Sequence, residues 1–187
     1  EVAPAAATEF DATVHDRPER LRGDEVSMNR IIAHDVERTE SDWYLQTHCT
    51  NPLLSPRTVK DAYETFRETA APSMFGVTAH NKFFWTAEGE PINHSNDESL
   101  TMTQRLTPVY EENSNIYLFS ESSFVTNDNR IGPESATYEI DAVEATDIDE
   151  PDDFRLAEFF HRERFGTEPT DAEVAAVVGD SAADSGG

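Results

Sequence analysis

Cysteine, lysine and glycine are scarce in this chain of 187 residues. The single cysteine, Cys49, excludes an intrachain disulfide and a cysteine-based zinc site, and we expect it to be a small core residue. The only lysines are Lys60 and Lys82. A membrane-spanning helix requires about 18 consecutive apolar residues, and no apolar run in the sequence approaches that length. We also expect no signal peptide. The sequence therefore predicts one domain with a sizeable core that does not depend on disulfides.

Acidic side chains are present in large excess, with 38 Asp and Glu against 14 Lys and Arg and a formal net charge of −24. The hydrophobic fraction of 37% argues against a chain that is disordered throughout. An acidic excess spread over amphipathic segments suggests a halophilic, cytoplasmic protein, because concentrated salt shortens the Debye length and screens self-repulsion. The charge also predicts no binding to nucleic acid or to an anionic membrane, since counterion release requires a basic patch.

Short apolar segments alternate with capped amphipathic segments, which predicts an α/β fold built on a layered sheet. The clearest helix begins at Pro56, with Ser55 as its N-cap. We expect one domain over residues 1–165 and a disordered acidic tail over residues 166–187. The predicted strands are 12–15, 43–49, 74–79, 115–119 and 137–141. The other predicted helices are one that Asp24 or Ser27 caps and that runs to about Arg38, a short helix or turn at 121–126, and 151–164.

Asp147 and Asp149 lie two residues apart on a segment that we expect to be extended, just before the last predicted helix. Side chains at positions i and i+2 of an extended segment point to the same side. Paired carboxylates suit Mg²⁺ when phosphates supply the remaining ligands. The alternative is an ordinary acidic helix start with Asp149 as the N-cap. Because ligands gather at the carboxyl ends of strands in α/β sheets, we also expect the site to include residues 46–51 and 78–82.

Five motifs occur in order along residues 10–160: Arg17-Pro18, QTHCTNPLL (46–54), PVYEENSNIYLF (108–119), NRIG (129–132) and DIDEPDDFRLAE (147–158). This series resembles the acylneuraminate cytidylyltransferases, which are the CMP-sialic acid synthetases and their relatives. The resemblance implies a Rossmann-like nucleotidyltransferase sheet in three layers and a homodimer. It implies transfer of CMP from CTP to a sialic-acid-like nonulosonic acid, with Mg²⁺ as cofactor and pyrophosphate as the second product.

The resemblance implies roles for residues around the nucleotide. Asp147 and Asp149 match the metal-binding aspartate pair, and Arg17 matches an arginine that helps to hold the nucleotide. Relatives also place an arginine just before a Gln-Asp-Leu-like run, where it neutralises a substrate carboxylate or phosphate. Here Arg105 follows Gln104 instead. We expect Gln104 to bind substrate and Arg105 to act in catalysis from its shifted position, although adjacent residues on a strand face opposite ways.

The resemblance implies a second group of residues around the sugar acid. Gln46 matches a glutamine that lines the sugar site. Tyr110, Asn113 and Tyr117 match a Y-x-x-N-x-x-I-Y pattern that shapes the acceptor pocket, with ordinary packing as an equal alternative for Tyr117. Lys82 is expected to contact the sugar, or else to be a solvated lysine that covers aromatic surface.

Relatives open with a strand and a loop of the form R-x-G-S-K-G that cradles the triphosphate, and this chain contains no such loop. We therefore expect the chain to lack the first strand, loop, helix and second strand of the family domain. Two functions stay open: an enzyme or part of one, and a non-catalytic relative that acts as a sugar-binding or dimer-partner subunit. The segment 86–100 is the candidate dimer arm, and the choice among sialic, legionaminic and related acids stays open.

Overall fold

The computed structural model describes residues 7, 9–10, 12–23, 25–95 and 102–166. Short 3₁₀ turns occur at Glu19–Leu21 and Thr103–Arg105. The strands are β1 (Trp43–Thr47), β2 (Ser73–His80), β3 (Val109–Ser120) and β4 (Ala136–Glu139). The helices are α1 (Met28–Val36), α2 (Pro56–Glu68), α3 (Glu121–Asn127) and α4 (Pro151–Phe165). None of the helices within the described ranges is long and apolar enough to cross a membrane.

The four strands form one mixed sheet in the order β1-β3-β2-β4. Strand β3 is antiparallel to β1 and β2, and β2 is parallel to β4. The carboxyl ends of β1, β2 and β4 therefore meet at one edge of the sheet, together with the amino end of β3. The predicted α/β class is confirmed at the level of a mixed four-stranded sheet with helices.

Helices cover both faces of the sheet. On one face Ala62 and Phe66 of α2 pack against Met74, Ile116 and Leu118. On the other face, α1 and α3 cover the ring of Phe119 and its neighbours on β3. Alternate residues of β3 point to opposite faces, so this one strand supplies side chains to both cores. The second core contains Ile32, Val36, Tyr117, Phe119 and Phe124.

Strand β3 carries a wide bulge opposite Gly76. Phe75 pairs with Tyr117, and Val77 pairs with Glu112, so Gly76 alone opposes residues 113–116. A Cβ atom on Gly76 would lie 2.6 Å from Asn113 Oδ1 and 2.8 Å from the Cδ1 atom of a buried isoleucine. The close approach of these two side chains explains why this strand position is a glycine.

The helix starts follow the local sequence. Ser55 Oγ accepts a hydrogen bond from Thr58 N at 3.1 Å, and proline occupies the first position of α2. At α4 the N-cap is Glu150, whose N–H donates to Asp153 Oδ2 at 2.8 Å. The alternative that Asp149 caps this helix is therefore wrong, and its carboxylate is left for the neighbouring cleft.

Three local predictions are wrong. Residues 12–15 form no strand; this extended segment lies near α1, with His15 Nδ1 3.7 Å from Asp35 Oδ1. Strand β1 is shorter than predicted and alternates exposed with half-buried residues, because it lies at the edge of the sheet. Cys49 follows this edge strand and is exposed, so it is not a core residue. The predicted tail, beyond Gly166, falls outside the described residues.

The acidic excess leads to a prediction about salt. At about 0.1 M salt the Debye length is about 10 Å, and at 1 M it is about 3 Å, so KCl removes most of the repulsion within a chain of charge −24. We expect the thermal unfolding midpoint to rise by several degrees between 0.1 and 2 M KCl, followed by circular dichroism. Sucrose at equal osmolality is the control, because it does not screen charge. A midpoint that stays level in KCl, or that rises equally in sucrose, contradicts the halophilic interpretation.

Candidate substrate-binding cleft

A cleft of about 380 Å³ opens at the edge where the parallel strands end. A larger cavity, of about 680 Å³, lies between α4 and Leu53, but its lining is mostly apolar. The smaller cleft holds carboxylates that could bind a cation. It is lined by Thr78, His80, Glu111, Glu112, Asn113, Ser114, Ala142, Ala145, Asp147 and Asp149. It therefore brings together three residues that the motifs nominated: Asn113, Asp147 and Asp149.

The loop that carries the aspartate pair is tied to two strands. Ile148 N donates to Thr50 O at 3.0 Å, just beyond the end of β1. Asn115 lies in the β3 bulge with its side chain fully buried, and its Nδ2 donates to Glu144 O at 2.8 Å. These two hydrogen bonds to the backbone of the loop, one from a side chain, hold Asp147 and Asp149 beside the cleft.

The donor set of the cleft fits a hard cation such as Mg²⁺. Asp147 Oδ1 is buried and has no hydrogen-bond partner among the described residues, which is costly for a carboxylate oxygen unless a ligand satisfies it. Within the described ranges, no group of three or more His, Cys, Asp or Glu side chains is arranged to hold a metal. Asp147 and Asp149 would therefore supply two oxygen ligands, and water or phosphate would supply the others, which is the usual arrangement for Mg²⁺.

Asn113 is held inside the bulge of β3. Its side chain is buried, its Nδ2 donates to Thr78 Oγ1 at 3.1 Å, and its Oδ1 accepts from Asn115 N at 3.3 Å. These bonds use the amide oxygen and one amide hydrogen. Asn113 therefore fixes the shape of the cleft floor and has one N–H left for a ligand.

A second group of polar residues lies beside the cleft, and we call Gln46, His48, Glu112, Tyr117 and Arg130 the arginine cluster. Arg130 lies over the ring of Tyr117, with Cζ 3.5 Å from the ring centroid. Its Nη1 donates to Gln46 Oε1 at 2.9 Å, and its Nη2 lies 3.9 Å from Glu112 Oε1. The hydroxyl of Tyr117 donates to Glu112. Tyr117 thus packs its ring in the core and turns its hydroxyl to polar groups, and its role in an acceptor pocket stays a prediction.

His48 links the arginine cluster to the aspartate pair. Gln46 Nε2 and His48 Nε2 are 2.9 Å apart, and because the amide nitrogen donates, the imidazole nitrogen accepts. Burial lowers the pKa of His48 below its ordinary 6.5, the charge of Arg130 lowers it further, and the charge of Asp147 opposes this. The imidazole is therefore neutral at pH 7 and lies within the fields of both charges.

Burial shapes the charges of the arginine cluster. It raises the pKa of Tyr117 to about 12, and the hydrogen bond to Glu112 adds to the effect. The phenol therefore stays protonated and donates. Burial also lowers the pKa of Arg130, while electrostatic interactions with Tyr117 and Glu112 act in the opposite direction. The guanidinium is thus a partly desolvated cation inside an acidic protein.

Two nominated sugar contacts lie at the same edge but are open to solvent. Tyr110 is exposed on β3, opposite Ala79. Lys82 is exposed just after β2, and its carbonyl accepts from Asn93 Nδ2 at 2.8 Å. The structure places both near the strand ends that border the cleft.

Three other nominated residues are not brought to the cleft. Arg17 is exposed, and its carbonyl accepts from Arg22 Nε at 2.8 Å. Gln104 and Arg105 are exposed in a 3₁₀ turn rather than on a strand, so the rule that neighbours face opposite ways does not apply to them. Across the described part of the chain, no hydrogen bond or ion pair joins the side chains of these three residues to the cleft.

Sequence reasoning assigned no role to Arg130 or Glu112. Arg130 stood inside the NRIG motif, which served only as a landmark, and Glu112 lay between two nominated residues of the Y-x-x-N pattern. One signal was available for Arg130: it belongs to a short loop motif rather than to the polar face of a helix, in a chain with few cations. The stacking on Tyr117 depends on tertiary structure and could not be read from spacing.

Comparison with known proteins finds a distant relationship. No protein-family model matches the chain. The chain is similar to Post-translational flagellin modification protein B of Campylobacter coli, with 24% identity over 138 residues. The match covers 72% of this chain and 59% of that protein, so the chain spans about three-fifths of the length of the curated relative it matches.

Proposed function

We propose that this chain is a nucleotidyltransferase of the CMP-sugar synthetase type, or part of one, and that it transfers CMP from CTP to a sialic-acid-like nonulosonic acid. One observation supports the proposal most: three motif residues that are far apart in sequence, Asn113, Asp147 and Asp149, line one cleft. The similarity to a flagellin modification protein is compatible with it, because an activated sugar acid can supply a modification of a surface protein.

The sheet supports a Rossmann-like reading of the fold. Three of its strands are mutually parallel, helices lie on both faces, and the candidate site lies at the carboxyl edge. Ligands of open α/β sheets bind at this edge. We therefore propose a three-layer nucleotidyltransferase domain over residues 1–165, which carries the sugar site.

The aspartate pair would hold Mg²⁺ through Asp147 and Asp149. The ion would neutralise charge on the phosphates of CTP, which is the main requirement of phosphoryl-type transfer. Both carboxylates lie on a loop tied to β1 and to the bulge of β3, so the chain keeps them in place before substrate arrives.

The other side chains would position the sugar acid. Its anomeric oxygen attacks the α-phosphorus of CTP, the bond from that phosphorus to the bridging oxygen breaks, pyrophosphate leaves, and the hydroxyl proton passes to solvent. Gln46 has one N–H and one lone pair left after its bonds to His48 and Arg130, so it can bind a sugar hydroxyl. Neutral His48 can donate through its remaining N–H. Chemistry of this kind depends on the positioning of the reactants, so these residues need only hold the sugar acid and do not have to take part in bond making.

We also propose that the protein is cytoplasmic, since CTP is a cytoplasmic nucleotide, and that it is a homodimer. A hairpin bridged between Trp85 and Pro91 exposes Phe83, Trp85 and Ile92, and such apolar surface suits contact with a second copy. Size-exclusion chromatography with light scattering measures the mass directly. A monomer in molar KCl contradicts the dimer.

The function is tested with protein expressed from its whole reading frame. CTP, Mg²⁺ and a panel of N-acetylneuraminic, legionaminic and related acids are supplied in molar KCl, and pyrophosphate and CMP-sugar are quantified. We expect the two products in equal amounts with at least one acid and none with ATP. Binding of an acid without product would favour the alternative of a non-catalytic sugar-binding or dimer-partner subunit.

A further inference from the structure

Arg130 is a largely buried cation whose pairing within the protein is incomplete. Its side chain is only 13% exposed, in a protein with 14 basic and 38 acidic residues. Burying a guanidinium is costly unless it is paired and fully hydrogen-bonded. The nearest carboxylate, Glu112, lies at 3.9 Å from Nη2, which is too long for a hydrogen bond. The protein thus keeps a desolvated cation that its own groups only partly satisfy.

The orientation of this guanidinium is fixed before any ligand binds. The ring of Tyr117 lies against one face of it, and Gln46 accepts one of its five N–H groups. None of its nitrogen atoms is buried without a hydrogen-bond partner. Within the described residues, neither Nε nor Nη2 makes a hydrogen bond, so both are available to a ligand. A fixed planar fork with free donors is a receptor for a carboxylate or a phosphate.

We propose that Arg130 binds the carboxylate of the sugar acid through a bidentate pair, in the role expected above of Arg105. This rests on the proposed function. A carboxylate is favoured over a phosphate because Glu112 lies next to the guanidinium and repels a dianion more than a monoanion. The phosphates of CTP would be neutralised by a cation that Asp147 and Asp149 hold.

The position of Arg130 suits this role. His48 lies near both Arg130 and Asp147, since the charges of both act on its imidazole. Its ring centroid is 6.1 Å from that of Tyr117, which carries Arg130 on its face. A sugar acid held by its carboxylate at Arg130 would therefore lie close to His48, whose imidazole is also within the field of Asp147. In a 2-keto acid the carboxylate is bonded to the anomeric carbon, so binding it also places the attacking oxygen.

The test measures steady-state kinetics on the whole-reading-frame protein with two probes, N-acetylneuraminic acid (or whichever acid of the panel reacts) and its C1 methyl ester. We expect Arg130→Gln to lower kcat/KM for the acid by on the order of 100-fold, the loss expected for a charge-assisted bidentate pair. KM for CTP and kcat/KM for the ester change less than about threefold. Arg130→Lys keeps the charge but loses the fork, so its loss for the acid is intermediate.

Arg155→Gln is the matched control, because Arg155 is an exposed arginine of α4 that pairs with Asp152. Circular dichroism checks folding, and if Arg130→Gln does not fold, Arg130→Lys with both probes decides. If Arg130→Gln raises KM for CTP rather than lowering kcat/KM for the acid, the proposal is overturned in favour of a phosphate. If only Arg105→Gln loses the preference for the acid over the ester, the proposal is overturned in favour of Arg105. Normal reaction of Arg130→Gln with the acid overturns it while the proposed function stands. Absence of reaction by the unsubstituted protein overturns both.

Discussion

Asp147→Asn and Asp149→Asn are each expected to lower the rate of pyrophosphate release by at least about 1000-fold. Asparagine has nearly the same shape, so each change removes a charge and a strong metal ligand while the loop keeps its hydrogen bonds to the Thr50 carbonyl and the Asn115 side chain. The apparent affinity for Mg²⁺ falls together with the rate. The measurement is a magnesium titration of pyrophosphate release at saturating CTP and sugar acid.

Asp152→Asn is the matched control for these two substitutions. Asp152 lies three residues after Asp149, on the exposed first turn of α4, where it pairs with Arg155 at 3.2 Å. Surface pairs of this kind contribute little, so activity should stay within about twofold of the unsubstituted protein. Equal losses in all three variants would show a general charge effect, and full activity of Asp149→Asn would contradict the metal assignment.

Gly76→Ala is expected to lower the free energy of unfolding by about 1–3 kcal/mol, the usual cost of overpacking a buried site. The new Cβ would lie 2.6 Å from Asn113 Oδ1 and 2.8 Å from Ile140 Cδ1, and both side chains are buried. Asn113 borders the cleft, so the strain should also raise KM for the sugar acid. Denaturant unfolding in molar KCl gives the free energy, and steady-state kinetics gives KM.

Ile140→Val tests the cause of this loss. Valine lacks the Cδ1 atom, so Gly76→Ala in the Ile140→Val background should cost less than it does alone. The two substitutions are in contact, and a coupling between them is therefore expected. Additive losses, or a Gly76→Ala protein as stable as the unsubstituted one, would show that the bulge accommodates a methyl group.

Those elements whose signals are local could be predicted from the sequence. The start of α2 follows from Ser55 and Pro56, and α4 follows from a proline next to acidic residues. The strands β2, β3 and β4 follow from apolar segments, although β3 is much longer than its apolar part. Its amino-terminal half is polar because it borders the cleft, and hydrophobic pattern alone cannot detect such a strand.

The features that depend on tertiary contacts could not be predicted. Strand β1 looked buried, but its position at the sheet edge exposes Trp43, Leu45 and Cys49. The bulge is marked in the sequence only by the isolated Gly76 of β2, which does not reveal the β3 residues that it opposes. The cation–π contact of Arg130 joins residues on β3 and on a loop after α3, so no sequence spacing predicts it. The aspartate pair could be nominated because both of its members lie within three residues of each other.

The most direct test of the central claim, that the aspartate pair holds the nucleotide's metal, is an anomalous diffraction experiment. Crystals of the whole-reading-frame protein are grown with CTP and Mn²⁺ in place of Mg²⁺, and data are collected at a wavelength where manganese scatters anomalously. The account predicts a peak within coordinating distance of carboxylate oxygens of both Asp147 and Asp149, with phosphate oxygens completing the shell. Nucleotide bound with the peak elsewhere in the cleft, such as between His80 and Glu111, would contradict it.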